Sequence, residues 1–112
     1  MLNRVTLVGR MTADPELTTT PNNKKKLDFR MAIEQDFKPK DGERKTDFIP
    51  CVAWEGNAEF ISKYLKKGDM FGIEGRLSPY EYEDKKEGVK RYGMNVIVDN
   101  AFFTENKRNK EG

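Results

Sequence analysis

Residues 46–77, TDFIPCVAWEGNAEFISKYLKKGDMFGIEGRL, decide the fold because they encode a strand, a helix and a second strand in direct succession. The first strand is expected from Thr46 to Glu55, where alternate side chains point to opposite faces. One face carries Phe48, Val52 and Trp54, and the other carries Ile49, Cys51 and Ala53. One face is therefore small and aliphatic, and the other carries the rings.

The next part of this block, from Asn57 to Lys67, has apolar residues at helical spacing. The apolar stripe consists of Phe60, Ile61, Tyr64 and Leu65, and we expect Phe60 and Tyr64 to be part of the core. We expect Asn57 to cap the start of the helix and Gly68 to follow its end. A strand from Met70 to Leu77 comes next, and its predicted inward side chains are Phe71, Ile73 and Leu77.

Two strands precede this block. The first is predicted from Asn3 to Met11, and the turn-rich residues 18–23, TTTPNN, follow it. The second has a clear apolar face made of Leu27, Phe29, Met31 and Ile33. Residues 38–45, KPKDGERK, then form a charged loop with a turn at its tip and Phe37 at its base.

Beyond Leu77, we expect Pro79 to interrupt the strand before a charged hairpin arm from Tyr80 to Tyr92, with its tip near residues 86–88. A last strand from Tyr92 to Phe103 completes one domain of residues 1–104, and residues 105–112 form a basic tail that frays. Pro50, inside the third strand, predicts a bulge or an outward-facing edge. Five strands with one helix between the third and fourth predict an all-β oligonucleotide-binding (OB) barrel with extended hairpins.

Composition excludes several function classes. The chain has 112 residues, no histidine, one cysteine and a net charge of only +2, so a nucleic-acid site must come from local clustering of charge. The usual zinc ligand sets cannot be assembled from these residues. The acidic residues do not cluster as a hydrolase requires. We therefore expect no metal, no cofactor, no small-molecule substrate and no catalysis. Cys51 is expected to be a small buried hydrophobe in a reducing compartment. No run reaches about 20 apolar residues, and we expect a cytoplasmic protein.

Rings among charged residues suggest a surface that stacks unpaired bases while basic side chains hold the phosphates. Phe48 and Trp54 lie six residues apart on one strand face, about 20 Å along the strand, which suits separate nucleotides. From the residues alone, packing against the helix or another subunit explains these two rings equally well. Phe37 is at a hairpin base, where a ring is more often a core plug. Tyr80 and Tyr82 share one face of the arm, and Tyr80 either extends the platform or supports it.

Three ordered blocks resemble the bacterial single-stranded DNA-binding proteins, from Met1 to about Phe103. The opening MLNRVTLVGRMTADPEL resembles the family's first strand and turn, and residues 46–77 resemble its third strand, helix and fourth strand. Gly88 followed by Arg91-Tyr92 resembles its last hairpin. The resemblance implies a barrel that wraps single-stranded DNA with little sequence preference in replication, recombination or repair, as a homotetramer or a dimer.

The resemblance also implies roles for individual residues. Stacking positions of the family match Phe37, Phe48, Trp54 and Tyr82. Phosphate-contact positions match Arg4, Lys40, Lys66, Lys67 and Arg91, and to these we add Lys38 and Arg76 as surface bases near the rings. Arg76 is as compatible with a structural ion pair. The run Lys24 to Lys26 is more typical of a solvated loop.

Some residues depart from the family pattern. Thr18 and Glu81 stand where relatives often carry basic residues, which predicts fewer phosphate contacts. The flexible linker and acidic C-terminal tip are absent, so the sequence is expected to be either truncated or a short form such as phages and mobile elements encode. Two other functions are less favoured: the four rings speak against an OB-fold replication-restart accessory that mainly docks proteins, and the lack of histidine and of clustered acids speaks against a nuclease on a barrel scaffold.

Overall fold

The computed structural model describes residues 1–35 and 45–104. These residues form six strands and one helix. The elements are β1 (Val5–Met11), β2 (Thr18–Thr19), β3 (Lys25–Glu34), β4 (Thr46–Trp54), α1 (Glu55–Tyr64), β5 (Met70–Asp84) and β6 (Val89–Phe103).

The strands form a closed ring. Their order is β1-β5-β6-β4-β3-β2, and β1 also pairs with β3, which joins the two sides of the sheet. The pairing is antiparallel throughout except for a short parallel contact between β4 and β6. The five long strands and the helix between β4 and β5 confirm the predicted OB barrel. The two-residue β2 lies in the stretch that was expected to be a turn.

The core lies inside this ring, where the apolar faces of the strands meet the helix. β3 behaves as its alternation predicts: Leu27, Phe29 and Met31 are buried, and Asp28 and Arg30 are exposed. The remaining buried side chains of the core are Met11, Cys51, Ala53, Ala58, Ile61, Leu65, Phe71, Ile73, Val96 and Val98. Phe29 and Phe71 pack with ring centroids 5.9 Å apart. Cys51 is buried as expected, and burial raises the pKa of its thiol to about 12.

The helix begins earlier than predicted. It starts at Glu55, directly after β4, so Trp54 occupies the N-cap position without a side-chain cap. The predicted cap, Asn57, lies inside the first turn and donates through its side-chain amide to the carbonyls of Val98 and Asp99, at 3.3 and 3.2 Å. The capping prediction is therefore wrong, because this amide ties the helix to β6. The helix also ends at Tyr64, before the predicted Lys67.

The helical stripe predicted to be core is only partly so. Ile61 and Leu65 are fully buried, whereas Tyr64 is exposed and Phe60 is half-buried. Tyr64 and Phe60 meet Phe103 at the edge of the barrel, with ring centroids 5.2 to 6.0 Å apart. The prediction that Tyr64 is core is wrong because the stripe extends past the edge of the sheet it covers.

β5 runs without a break through Pro79, contrary to the predicted interruption. The side-chain amide of Asn3 donates to the Leu77 carbonyl and accepts from the Leu77 N–H, both at 2.9 Å, so these Leu77 groups face away from β6. Backbone groups two residues apart point the same way, so Pro79 turns its missing N–H to this free edge and costs no ladder bond. Leu77, predicted to point inward, is exposed because β5 leaves the barrel here.

The chain bends elsewhere than at its strand prolines. Pro50 pairs with Arg30 in an unbroken β3–β4 register, and it lies one residue before the parallel pairing with β6, where the strand has an open edge. Of the two alternatives predicted for Pro50, the structure therefore fits an outward-facing edge and excludes a bulge. The register shift of the β5–β6 pair lies instead between Glu74 and Gly75. Beyond it, residues 77–84 of β5 pair only with β6 among the described strands, and we call residues 77–95 the arm.

Candidate nucleic-acid interface

The strand register brings one outward face of four strands together. Val52 of β4 is paired with Ile97 of β6, and Ile97 is paired with Arg76 of β5, so these three side chains share one face. The neighbouring residues Val96 and Val98 point the other way and belong to the core cluster, which does not include Val52 although that side chain is also buried. Every second residue from this row shares the outward face along β4 and along the parts of β5 and β6 that form the arm, on the arm side of the register shift. We call it the ring face.

Four of the five predicted stacking rings lie on the ring face. Phe48 and Trp54 reach it from β4, and Tyr80 and Tyr82 reach it from the arm. Their exposed fractions are 57%, 37%, 43% and 49%, respectively. The sequence placed each pair on a common strand face, and the register of β6 between β4 and β5 puts both pairs on the same side of the sheet.

Trp54 lies at the junction of β4 with the helix. The Lys26 ammonium, from the paired position on β3, lies over the indole ring at 5.4 Å from its centroid. A groove of about 340 Å³ opens beside the ring. The residues that line it are Thr20, Asn22, Lys24, Trp54 and Glu55. The ring therefore combines an open side with a positive charge.

The backbone next to Trp54 is held by Glu55. This residue has a φ of 50°, in the left-handed region that non-glycine residues seldom adopt. Its carboxylate accepts the Lys25 backbone N–H at 2.8 Å. The Lys25 ammonium bonds to Glu59 at 2.5 Å, and this hydrogen bond is the main reason why the pKa of Lys25 is raised. Two links thus join the start of the helix to β3 directly beside the ring.

Arg30 is a candidate that the sequence reasoning missed. It is exposed on β3 opposite Pro50, between the positions of Phe48 and Trp54 on the neighbouring strand. Within the described ranges, Arg30 forms no ion pair, so its guanidinium is available to a phosphate. The outward parity of Arg30 could be read from β3, but its position between the rings depends on the β3–β4 register.

The arm holds its rings differently. Tyr80 and Tyr82 lie side by side, with centroids 6.1 Å apart and planes tilted by 34°. Arg91, paired across from Tyr82, donates through Nε to Asp84 at 3.0 Å and through a terminal nitrogen to Glu87 at 2.6 Å. The hydrogen bond from Arg91 is the main reason why the pKa of Asp84 is lowered.

The other predicted arginines are also paired with carboxylates. Arg4 bonds to Glu74 at 3.0 Å, and Arg76 bonds to Asp99 at 3.2 Å. Arg76 therefore forms the ion pair that a structural role would require, and it also lies on the ring face. All three predicted arginines remain partly exposed. A phosphate would compete with a carboxylate at each of them.

The remaining predicted basic residues differ in what the structure describes. Lys66 and Lys67 are exposed just after the helix, and their backbone N–H groups donate to Asp69 and Asp14 at 2.9 Å. Phe37, Lys38 and Lys40 lie outside the described residues, as does the predicted tail of residues 105–112. Within residues 1–35 and 45–104, no group of three or more potential metal ligands occurs, and no helix is long and apolar enough to cross a membrane.

The sequence comparisons agree with this geometry. The model of the single-strand binding protein family matches residues 2–104. The chain belongs to this family. A single-stranded DNA-binding protein of Halalkalibacterium halodurans is 44% identical over 105 residues, which are 94% of this chain and 62% of the relative. Single-stranded DNA-binding protein A of Bacillus subtilis is 43% identical over 107 residues, 96% of this chain and 62% of the relative.

A further family member has a similar relation to the chain. The single-stranded DNA-binding protein of Oceanobacillus iheyensis is 41% identical over 112 residues, which are 100% of this chain and 69% of the relative. The chain thus spans between 62% and 69% of the length of the three relatives. The matched region includes the whole barrel and the arm.

Proposed function

We propose that this protein binds single-stranded DNA with little sequence preference and without catalysis. The observation that carries the proposal is the ring face, where four exposed rings from β4 and the arm lie on one side of a continuous sheet. Membership of the single-strand binding protein family supports it, as do the names of the relatives. Every base has an aromatic face, so stacking on rings does not depend on sequence.

In the proposed mechanism, bases stack on Phe48, Trp54 and Tyr82, and on Phe37, and each stacked base contributes about 1–3 kcal/mol. Phosphates between them are held by the basic side chains. Lys26 and Arg30 are best placed for this because they flank the β4 rings on the same face, although Lys26 also pairs with Asp28 at 3.6 Å. The predicted bases Lys38, Lys40, Lys66 and Lys67 extend the path.

The paired arginines contribute less in this mechanism than their charge suggests. Arg4, Arg76 and Arg91 each give up a carboxylate partner when they turn to a phosphate. Phosphate contacts release counterions, so the logarithm of the binding constant falls linearly with the logarithm of the salt concentration. The slope is about 0.7 per contacted phosphate on a single strand. The slope for this protein then reports mainly on Arg30 and on the lysines outside the ion pairs of Lys25 and Lys26.

The biological role is proposed at the level of the family: protection of single strands during replication, recombination or repair. We also propose a homo-oligomer, with a tetramer favoured over a dimer, so that one strand passes over several barrels. Sedimentation equilibrium measures the assembly mass directly, and a monomer at working concentrations would contradict this part. A mainly protein-docking accessory would bind oligo-dT weakly, and the titration described next separates the two functions.

The decisive experiment uses the single tryptophan of the chain, Trp54, as the reporter. We expect oligo-dT to quench its fluorescence strongly and a matched duplex to quench it weakly. Trp54→Ala removes the reporter, so its affinity is measured by anisotropy of a labelled oligo-dT. We expect a loss of about 5- to 150-fold, which corresponds to one stacked base.

Tyr92→Ala provides the matched control. Tyr92 is 72% exposed but is paired with Glu81 on the opposite face of the arm, away from the four rings. The Tyr92→Ala variant should bind oligo-dT like the wild type. Equal quenching by duplex and single strand, or equal losses for Trp54→Ala and Tyr92→Ala, would contradict the proposed ring face.

A further inference from the structure

Tyr80 lies directly over a glycine of the partner strand. Tyr80 and Gly93 are paired across the arm, and a Cβ built on Gly93 would come within 2.2 Å of the ring carbon Cζ and 2.4 Å of the hydroxyl oxygen of Tyr80. Real Cβ atoms do not approach other atoms so closely, so any side chain at this position would displace the ring. Gly93 therefore leaves the space that the ring fills.

This contact sets the orientation of the ring. One side of Tyr80 rests on the backbone of Gly93, and the residue is still 43% exposed. The neighbouring ring of Tyr82 is tilted by only 34° relative to it. The two centroids are 6.1 Å apart, too far for the rings to lie directly on one another, and both rings are partly exposed to a ligand.

Two acids of the arm point away from its rings. Glu81 and Glu83 alternate with the two tyrosines and so lie on the opposite face of the arm. The acid that shares the ring face, Asp84, is bonded to Arg91. Glu81, which was expected to cost a phosphate contact, thus points away from the rings.

We propose that Tyr80 and Tyr82 form a subsite that stacks two successive bases of a single strand, and that Gly93 is the positioning residue that seats Tyr80 for this purpose. The proposal rests on the proposed function and deepens it. It resolves the choice between a supporting and a stacking role for Tyr80 in favour of stacking. Tyr82 alone would offer one ring, whereas the seated pair offers two.

A double-mutant cycle tests the positioning role. Gly93→Ala, Tyr80→Leu and the double variant are titrated with labelled oligo-dT by anisotropy. We expect each single variant to weaken binding at least about fivefold, the lower end for one stacked base. In the Tyr80→Leu background, Gly93→Ala should have no further effect, because the ring that it displaces is already gone. Gly56→Ala is the control, since nothing lies within 4 Å of its Cβ position.

A second pair of variants tests whether the rings hold separate bases. The affinity losses of Tyr80→Leu and Tyr82→Leu should multiply in the double variant if each ring holds its own base. If the double variant loses no more than either single variant, the two rings share one base and the two-base subsite is wrong. Melting temperatures of all variants exclude unfolding, and Tyr80→Leu remains informative even if Gly93→Ala does not fold.

The results separate this proposal from the function on which it rests. If the wild type binds oligo-dT and Trp54→Ala weakens binding, but Gly93→Ala and Tyr80→Leu bind like the wild type, the subsite is overturned and the function stands. A Gly93→Ala effect that persists without the Tyr80 ring would show that Gly93 acts through the strand, and would overturn its positioning role. A wild type that does not bind oligo-dT would overturn both.

Discussion

The barrel and the arm present the same kind of ring in two different ways. Phe48 and Trp54 project from β4, which is paired on both sides along part of its length and covers the buried core. Tyr80 and Tyr82 project from a two-stranded ribbon beyond that core. In the barrel, apolar burial fixes the strand beneath the ring. In the arm, the strand beneath the rings is held by the β5–β6 hydrogen bonds and by the ion pairs of Arg91 at the tip, and Gly93 positions the Tyr80 ring.

The difference separates stability from binding. A two-stranded ribbon has no hydrophobic face of its own to bury, and isolated hairpins are marginally stable in water. Substitutions of the rings, the charged residues or the tip of the arm should therefore change the free energy of unfolding only slightly. The barrel rings, by contrast, project from β4, whose residues Cys51 and Ala53 are part of the core. The following three experiments test this separation, from the largest expected effect to the smallest.

Phe71→Ala should destabilise the barrel by about 3–5 kcal/mol, the usual cost of truncating a buried phenylalanine. Phe71 is fully buried and packs against Phe29. Tyr82→Ala in the arm should cost less than about 1 kcal/mol, the size of one cross-strand pair. Urea unfolding of both variants gives the comparison. Equal losses would contradict the view that the arm rings contribute little to stability.

Gly75→Ala should destabilise the junction of barrel and arm by about 1–3 kcal/mol, the range for overpacking. An added Cβ would come within 2.0 Å of the Ile97 carbonyl oxygen, which is backbone and cannot rotate away. Gly56→Ala in the helix is the control, and it should be neutral or slightly stabilising. Thermal melts measure both. A normal melting temperature for Gly75→Ala would show that the register shift adapts without cost.

The smallest effect concerns the tip of the arm at low pH. Arg91 lowers the pKa of Asp84 in the folded state, so the contact stabilises the tip fully above the ordinary carboxyl pKa and is lost as the pH falls through the lowered value. Arg91→Gln should move the Asp84 titration, followed by NMR, back toward its ordinary value. The Gly88 amide, which donates to the Asp84 carbonyl at 2.7 Å, should respond in the same pH range. An unchanged titration in Arg91→Gln would contradict the assignment of cause.

Alternation predicted the elements that are half-buried. The inward face of β3, the split faces of β4 and the turn near Gly88 all follow from local sequence, because each strand has one face on the core. The helix start was missed because Glu55 adopts a left-handed backbone, which places the first turn directly after Trp54. Local propensity favoured Asn57 as a cap, and the tertiary bond of its amide to β6 competes with that role.

Register explains most of what the sequence did not reveal about the candidate site. No local signal shows that Lys26 lies over Trp54 or that Arg30 lies between the two β4 rings, since both facts depend on how β3 pairs with β4. The same holds for the ion pair of Arg76 with Asp99 and for the seat of Tyr80 on Gly93. Single residues gave the chemistry of the site, and strand pairing gave its arrangement.

The amide of Asn3 has a consequence for how this sheet meets other chains. A carboxamide carries one acceptor and donors in nearly the same arrangement as a peptide group, so at Leu77 it stands in for one more residue of β1. An unpaired strand edge is a template on which a foreign strand can add. Asn3 occupies the first open position of that template, and Pro79 offers no donor at the next position facing the same edge. Together they leave fewer backbone groups with which a foreign strand could pair at the base of the arm.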